Sequence, residues 1–266
     1  MPTRAVTLHD RAQIAALLRT DIGQHLYAIG DLDDFFWPST IFYALEDAGT
    51  ISQPVLAYDS GDLLILHALC SGDTTRLQLL IGKIQHLLPA QIYTHLSPGV
   101  EQTFAERYTL EHHGHYLKML LTDRSPIARI DTSTATQLAP SDTDEVLAFY
   151  QVAYPGNWFD PRMLETRQFI GIRRDAALVC VAGIHVYSPS ERVAAIGSVA
   201  TLPPARGHGL ATVAMAALCN LLSKTTDSIG LNVRADNLSA VGCYERLGFT
   251  TVGNYGEWML RRAGHL

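Results

Sequence analysis

The feature that most restricts this chain is the run from Ser198 to Thr212, Ser-Val-Ala-Thr-Leu-Pro-Pro-Ala-Arg-Gly-His-Gly-Leu-Ala-Thr. An apolar, β-branched stretch from Ala194 to Leu202 stops at Pro203 and Pro204. A glycine-spaced turn follows. Ala211, Ala214, Met215, Leu218 and Leu222 then recur at helical spacing and predict a helix with one buried face. Strand, tight turn and helix N-terminus in that order gather unsatisfied backbone N–H groups and the positive end of the helix dipole at one spot. Gly207 and Gly209 remove Cβ atoms from the approach, and Arg206 adds positive charge. Such a turn suits a pyrophosphate. It is not a Walker loop, because no lysine follows Gly207 or Gly209, and Thr212 stands where a dinucleotide fingerprint needs its third glycine.

Residues 231 to 249 carry a second pattern. Asn237 is a good helix N-cap, and Ala240, Tyr244 and Leu247 lie on one helical face from it. Gly248 ends that helix and Phe249 opens a strand. The first motif, R-x-x-G-x-A at Arg206, Gly209 and Ala211, resembles the coenzyme A loop of the GNAT superfamily of acyl-CoA-dependent N-acyltransferases. The second resembles the same family's N-x-x-A-x-x-x-Y-x-x-x-G-F signature, complete and in the expected order. The resemblance covers residues 126–266 well and the first half weakly. The Thr201-Leu202-Pro203 run with Arg206 is similar to the glycine N-acyltransferase branch.

That resemblance implies an α/β fold, a mixed sheet flanked by helices, and acetyl-CoA or another acyl-CoA as co-substrate, with no metal. Main-chain groups of Val199, Ala200 and Thr201 would pair with the pantetheine arm. A backbone N–H at Val199 or Ala200 would receive the oxyanion. The turn Arg206, Gly207, His208, Gly209, Leu210, Ala211 and Thr212 would take the pyrophosphate, and Asn237 would add a cofactor contact. Tyr244 stands where the family places its general acid, and a phenol titrating near ~10 is protonated at neutral pH. Some relatives carry a glutamate five residues before the asparagine; here that position is Asn232, which takes no proton. Glu257, His185 and Asp160 remain base candidates. The aromatic pair in Tyr154-Pro155-Gly156-Asn157-Trp158-Phe159-Asp160-Pro161 lies where the family covers its acceptor, so Trp158 and Phe159 read either as a specificity lid or as a plug. With Asn232 and Glu257 they make up the candidate substrate residues.

The first half repeats the order of the second: helices (10–20 and 24–34), a strand hairpin turning at Asp59-Ser60-Gly61-Asp62, a helix from Thr74, a strand Gln91–Leu96, a helix Gly99–Tyr108 and a strand His115–Thr122. The expectation is a tandem arrangement, residues 1–124 forming a degenerate copy and 126–266 the catalytic domain, parted near Asp123-Arg124-Ser125-Pro126. The copy offers Cys70-Ser71-Gly72-Asp73 where the phosphate turn belongs, with an aspartate that repels phosphate. In the second half a strand near Thr134–Leu138, helices from Asp142 to Tyr154 and from Pro161 to Ile170, and a hairpin around Ser188-Pro189-Ser190-Glu191 lead into the loop. Strand alternation puts His113 and His115 on one face and His112 on the other, too few for a metal site.

A net charge of −6 argues against nucleic-acid or anionic-membrane partners. The scattered Cys70, Cys180, Cys219 and Cys243 read as reduced thiols, and Met1–Asp10 lacks the segments of a signal peptide, so a cytoplasmic monomer or homodimer is expected. The reading is acetyl transfer to an amine of a small molecule or amino acid. Two alternatives stay open: a protein N-acetyltransferase docking its target through the first domain, and a non-catalytic acyl-CoA-binding module.

Overall fold

A computed structural model describes residues 3–157, 159–262 and 264. In chain order it contains β1 (Arg4–Leu8), α1 (Arg11–Leu18), α2 (Ile22–Gly30), β2 (Thr40–Asp47), β3 (Thr50–Asp59) and β4 (Leu64–Ala68). Then come α3 (Thr75–Ile84), β5 (Gln91–Leu96), β6 (Tyr108–Leu121), β7 (Ala135–Gln137), α4 (Thr143–Ala153) and β8 (Ile170–Arg174). β9 (Ala177–Ser188), β10 (Val193–Thr201), α5 (Leu210–Leu222), β11 (Ser228–Arg234), α6 (Leu238–Arg246) and β12 (Phe249–Arg262) complete it. Contacts divide the chain into two units, residues 1–118, 234–236 and 251–266 in one, 119–233 and 237–250 in the other. Each has the same mixed α/β plan.

In the first unit the strands run β1-β2-β3-β4-β5-β12-β6. β4 and β5 are parallel, whereas β1, β2, β3 and β4 form antiparallel pairs in succession. Helix starts are capped as their sequences ask: Asp10 Oδ1 accepts from Gln13 N–H and Asp21 Oδ1 from Gln24 N–H. The β3–β4 turn works as expected, with Gly61 at φ 91° and its N–H donating to Asp59 Oδ1 at 2.9 Å. Leu77, Leu80, Ile81 and Ile84 of α3 bury against Leu45, Val55, Leu66, Ile92 and Leu96 of the sheet. Each such side chain contributes roughly 1.5–3 kcal/mol of transfer free energy.

A division at one point near residue 125 leaves the last strand with the second half. Backbone pairing puts it elsewhere: β12 runs antiparallel to β5, from Gly256 opposite Leu96 to Arg261 opposite Gln91. Three local expectations also give way. The helix expected over Gly99–Tyr108 is a short 3₁₀ stretch, Val100–Phe104, entered through Gly99 at φ 93°, and β6 starts at Tyr108. Pro161–Thr166 is likewise 3₁₀ and ends at Arg167 with φ 55°, after which the chain is extended as β8. The β1 strand has no clear signal in its own residues, because Arg-Ala-Val-Thr-Leu is short and weakly alternating; its partner β2 supplies the ladder. Among the histidines alternation breaks at Gly114, whose φ is 139°, so the His112 ring meets the His115 ring at 4.4 Å and His113 turns to Glu111.

The second unit orders its strands β11-β10-β9-β8-β7, with β10–β11 the parallel pair. The hairpin around residues 188–191 joins β9 to β10 antiparallel. α5 buries Ala214, Met215, Leu218 and Leu222 and contacts β8, β9 and β10. Gly183 of β9 is required by packing: a Cβ there would lie 2.0 Å from the Phe169 ring. No helix among the described residues is long and apolar enough to cross a membrane.

Candidate active site

The second unit's central parallel pair does not stay closed. Val193 to Ile196 of β10 face Ser228 to Leu231 of β11, and β10 then irregularly shifts register against β9 between Gly197 and Ala200. Ser198 sits at that bulge with φ 54°, a left-handed backbone that costs a non-glycine residue roughly 1–3 kcal/mol. Beyond the bulge Ala200 and Thr201 pair with Val181 and Cys180 on one side only. The edge of β10 that faced β11 is left open over Val199–Thr201, as an added strand requires.

Side chains hold the bulge from behind. The buried Tyr150 of α4 donates its hydroxyl to Ser198 O at 2.6 Å. His185 Nε2 lies 3.2 Å from Ser198 Oγ, whose hydroxyl reaches Asn157 Oδ1 at 3.3 Å. Asn157 Nδ2 is buried with no partner among the described residues. Gly197 makes room for the imidazole, since a Cβ there would meet the His185 ring at 2.4 Å. Burial pushes His185 down to about 4, so its ring is neutral at physiological pH. Burial pushes the Tyr150 phenol up, which keeps it a donor.

β10 ends in the 3₁₀ turn Pro203–Ala205 and delivers Arg206, Gly207, His208 and Gly209 to the surface. Gly207 and Gly209 adopt φ of 79° and 73°, and a Cβ at either would meet nothing within 4 Å. They are glycine because of backbone conformation, not crowding. Gly209 is the N-cap of α5, and the first helical bond is Val213 N–H to Gly209 O, so the N–H groups of Leu210, Ala211 and Thr212 face outward. Arg206 folds back, its Nε donating to Thr201 O at 3.1 Å, which fixes the charge beside the open edge of β10. His208 Nδ1 braces the turn against Arg206 O at 2.9 Å.

Tyr244 is buried on α6 against Phe249, with ring centroids 6.1 Å apart, and no hydrogen bond to its hydroxyl is found among the described residues. Burial, with Cys243, Tyr154 and Cys180 nearby, pushes its phenol up. Cys180 accepts from Thr201 Oγ1 at 3.3 Å, and burial raises its thiol to about 11, so it is no ready nucleophile. Thr212 lies 3.2 Å from Cys243 Sγ, joining the two helices. Asn237 Oδ1 caps α6 by accepting from Ala240 N–H at 3.2 Å.

The remaining candidates are scattered. Trp158 lies outside the described residues. Phe159 packs between Tyr150 and Phe169, at 5.2 and 5.6 Å, as a plug rather than a free lid. Asp160 is engaged by Arg162 through Nε at 2.9 Å. Asn232 is on β11, one residue past the part that pairs with β10. Glu257 belongs to the first unit, where it accepts from Tyr93 Oη at 2.5 Å and Tyr255 Oη at 3.2 Å. What sequence reasoning misses is Tyr150 and Ser198 as a pair; the one local signal of a bulge is Gly197, a glycine inside a strand just before Ser198. Among the described residues no group of three or more His, Cys, Asp or Glu is placed to hold a metal ion.

Two parallel strands parting beside a glycine turn and a helix N-terminus, in a mixed α/β unit, are the GNAT fold. Residues 135–249 match the Acetyltransferase (GNAT) family. The chain is 36% identical over 95 residues to a mycothiol acetyltransferase of Streptomyces griseus, a match spanning 35% of this chain and 29% of that relative. A tandem GNAT protein from the clavulanic acid biosynthesis pathway has the same fold over 100% of both chains, with TM-score 0.60 and 16% identity. A GNAT-family acetyltransferase structure from Novosphingobium aromaticivorans covers 79% of this chain and 88% of its own, with TM-score 0.57 and 21% identity.

Proposed function

We propose that residues 126–250 carry an acetyl-CoA-dependent acetyltransferase site whose acceptor is an amine of a small molecule. One observation carries the reading: β10 leaves β11 at a side-chain-held bulge and runs with a free edge into a glycine turn that opens a helix. The free edge at Val199–Thr201 suits the pantetheine amides, and the N–H groups from Gly207 to Thr212 suit the pyrophosphate. In the reaction the amine nitrogen bonds to the thioester carbonyl carbon, the oxygen becomes an oxyanion, and the C–S bond then breaks. A bulge N–H at Val199 or Ala200 receives the oxyanion. Tyr244 stays protonated and donates a hydrogen bond to the departing sulfur. The nitrogen gives up one proton and the thiolate, whose thiol titrates near ~8.5, takes one up, so coenzyme A leaves as the thiol and the phenol is unchanged. Glycine N-acyltransferase-like specificity and an acceptor related to the mycothiol named for the Streptomyces relative are both small-molecule outcomes of this reading.

The test is thiol release from acetyl-CoA over a panel of amino acids, amino sugars and polyamines, with Tyr244→Phe alongside. Turnover with at least one amine, falling roughly 10²–10⁴-fold in the variant, supports the reading. A second reading, a non-catalytic acyl-CoA binder, draws on Asn232 at the expected base position and on Asp160 being held by Arg162. Acetyl-CoA binding with no turnover on any amine favours it, and no binding at all removes both.

A further inference from the structure

β7 is the last strand in its sheet order and is 3 residues long, whereas α5, which packs against β7 and β8, runs for 13. At ~3.4 Å per strand residue and ~1.5 Å per helical residue, the strand covers roughly 10 Å and the helix roughly 20 Å. Part of one flank of α5 therefore has no strand beside it. A cleft of about 240 Å³ lies there, wholly within the second unit. Ala217, Asn220, Leu221 and Lys224 line it from α5, at the three-, four- and seven-residue spacing of a single helical stripe. Alanine at 217 gives the cleft its depth, because a longer side chain there would occupy the space.

The lining divides by chemistry. Ala135, Ile170, Ala217 and Leu221 make an apolar floor, and Ile170 is itself buried. Thr132, Gln137, Asn220 and Lys224 make a polar rim, with Asn220 and Lys224 exposed at the mouth. Gln137 donates its side-chain amide to Arg167 O at 2.7 Å. The Thr132 hydroxyl, the Asn220 amide and the Lys224 ammonium have no protein partner among the described residues. Among those residues Lys224 is the one charged group in the lining. Asp131, next to Thr132 in sequence, is turned into its own loop, where Oδ1 accepts from Ser133 N–H at 2.9 Å. The carbonyls that end α5 are likewise taken: Ser223 N–H donates to Cys219 O, Lys224 N–H to Leu221 O and Thr226 N–H to Leu222 O. The cleft thus presents an uncompensated cation above an apolar floor.

We propose that this cleft binds a small monocarboxylate whose apolar body is one ring or a short chain, with the carboxylate against Lys224 and the Asn220 amide and the body on Ile170, Ala217 and Leu221. Size sets the body: the volume falls between the ~150 Å³ that encloses a benzene ring and the ~300 Å³ at which drug-sized sites begin. Charge sets the head group. The ammonium, amide and hydroxyl donors of Lys224, Asn220 and Thr132 all favour an anionic oxygen, and one cation balances one negative charge. The cleft shares no residue with Val199–Thr201, the glycine turn, Asn237 or Tyr244, so it is a second site and does not rest on the acetyltransferase reading.

The experiment is an NMR titration of the isotope-labelled full chain at neutral pH and constant ionic strength with benzoate and, separately, with hexanoate. Benzylamine is the charge-reversed control. Saturable shifts of the Ala217, Leu221 and Lys224 backbone amides and the Asn220 side-chain amide with at least one carboxylate, and none with benzylamine, support the cleft; the probe that saturates names the body as ring or chain. Lys224→Glu, a change at an exposed position, weakens binding of that carboxylate about tenfold, through the loss of one exposed ion pair and the repulsion that replaces it. Ala217→Phe fills the floor and abolishes binding; if that variant does not fold, Lys224→Glu alone decides. Arg206→Glu removes anion binding at the glycine turn as a confounder and leaves the dissociation constant unchanged. No saturable shift at these residues with either carboxylate overturns the proposal. So does a dissociation constant unmoved by Lys224→Glu, equal binding of benzylamine, or binding lost in Arg206→Glu.

Discussion

Tyr150→Phe removes one oxygen from the molecule and tests how the bulge in β10 is held. Tyr150 is 5% exposed and Ser198 3%, and the hydroxyl-to-carbonyl contact between them is 2.6 Å long. Deleting the donor strands a buried carbonyl, which costs about 1–3 kcal/mol. The strain of a serine in the left-handed region is of similar size and is no longer opposed, so the segment relaxes toward ordinary strand geometry. Stability measured by urea unfolding falls by that amount, and Tm falls by roughly 2–4 °C per kcal/mol for a chain of this length. If the bulge aims the oxyanion donor, kcat falls more than stability explains, by up to roughly 10²–10³-fold, with KM for acetyl-CoA little changed. Adding Ser198→Gly tests the cause, because glycine accepts φ 54° without strain and recovers part of the lost stability. A Tyr150→Phe enzyme with lowered stability and full kcat refutes the link between bulge and catalysis. Unchanged stability refutes the hydrogen bond itself.

Acetyl-CoA at a hundred times its dissociation constant stabilises the fold by about 2.7 kcal/mol, and Arg206→Glu removes most of that thermal shift. Burial raises the Asp31 carboxyl from 3.8 to about 8, so the folded state binds its proton more tightly than the unfolded one. Its contribution is present below pH 3.8 and lost as pH rises through 8; Asp31→Asn therefore raises Tm at pH 8 and leaves it unchanged near pH 3.8. His185 has the opposite sign: burial lowers it from 6.5 to about 4, stability is whole above pH 6.5 and declines toward pH 4, and His185→Gln flattens that decline in pH-dependent unfolding.

The sequence told most where chemistry and backbone geometry coincide. Gly207, Gly209 and the Asn237 cap could be placed because a left-handed turn and an orphaned helix end each demand particular residue types, and the apolar face of α5 showed as a plain 3.6 period. It told least where a distant partner decides. β12 pairs with β5, a partner some 160 positions away, and nothing in its own residues announces that. Glu257 travels with it, so a carboxylate that looked available to the second half is bonded to tyrosines of the first unit. The Ser198 bulge was hidden for the same reason: its cause is Tyr150 and His185, which approach it only in three dimensions. Pro161–Thr166 misled because six residues with helical composition end at Arg167 in the left-handed region.

The two halves share a plan, and the comparison within one chain explains why a cofactor wedge is proposed for the second. In the first unit the parallel ladder between β4 and β5 stays closed from Leu64 opposite Ile92 to Ala68 opposite Leu96. It is then extended by Ser97, whose N–H donates to Ala68 O at 3.0 Å while its hydroxyl bridges Cys70 N–H and Cys70 O. The start of α3 is filled as well: Asp73 Oδ1 accepts from Thr75 N–H at 3.1 Å and Thr75 Oγ1 at 2.7 Å, and those bonds hold the carboxyl ionised at the point where a phosphate would need N–H groups. In the second unit each of these closures has its inverse. A bulge replaces the serine clasp, and glycines with outward N–H groups replace the aspartate that precedes α3. An anionic cofactor entering the first half would have to break backbone bonds and displace a charge of its own sign, whereas the second half offers unsatisfied donors already in position.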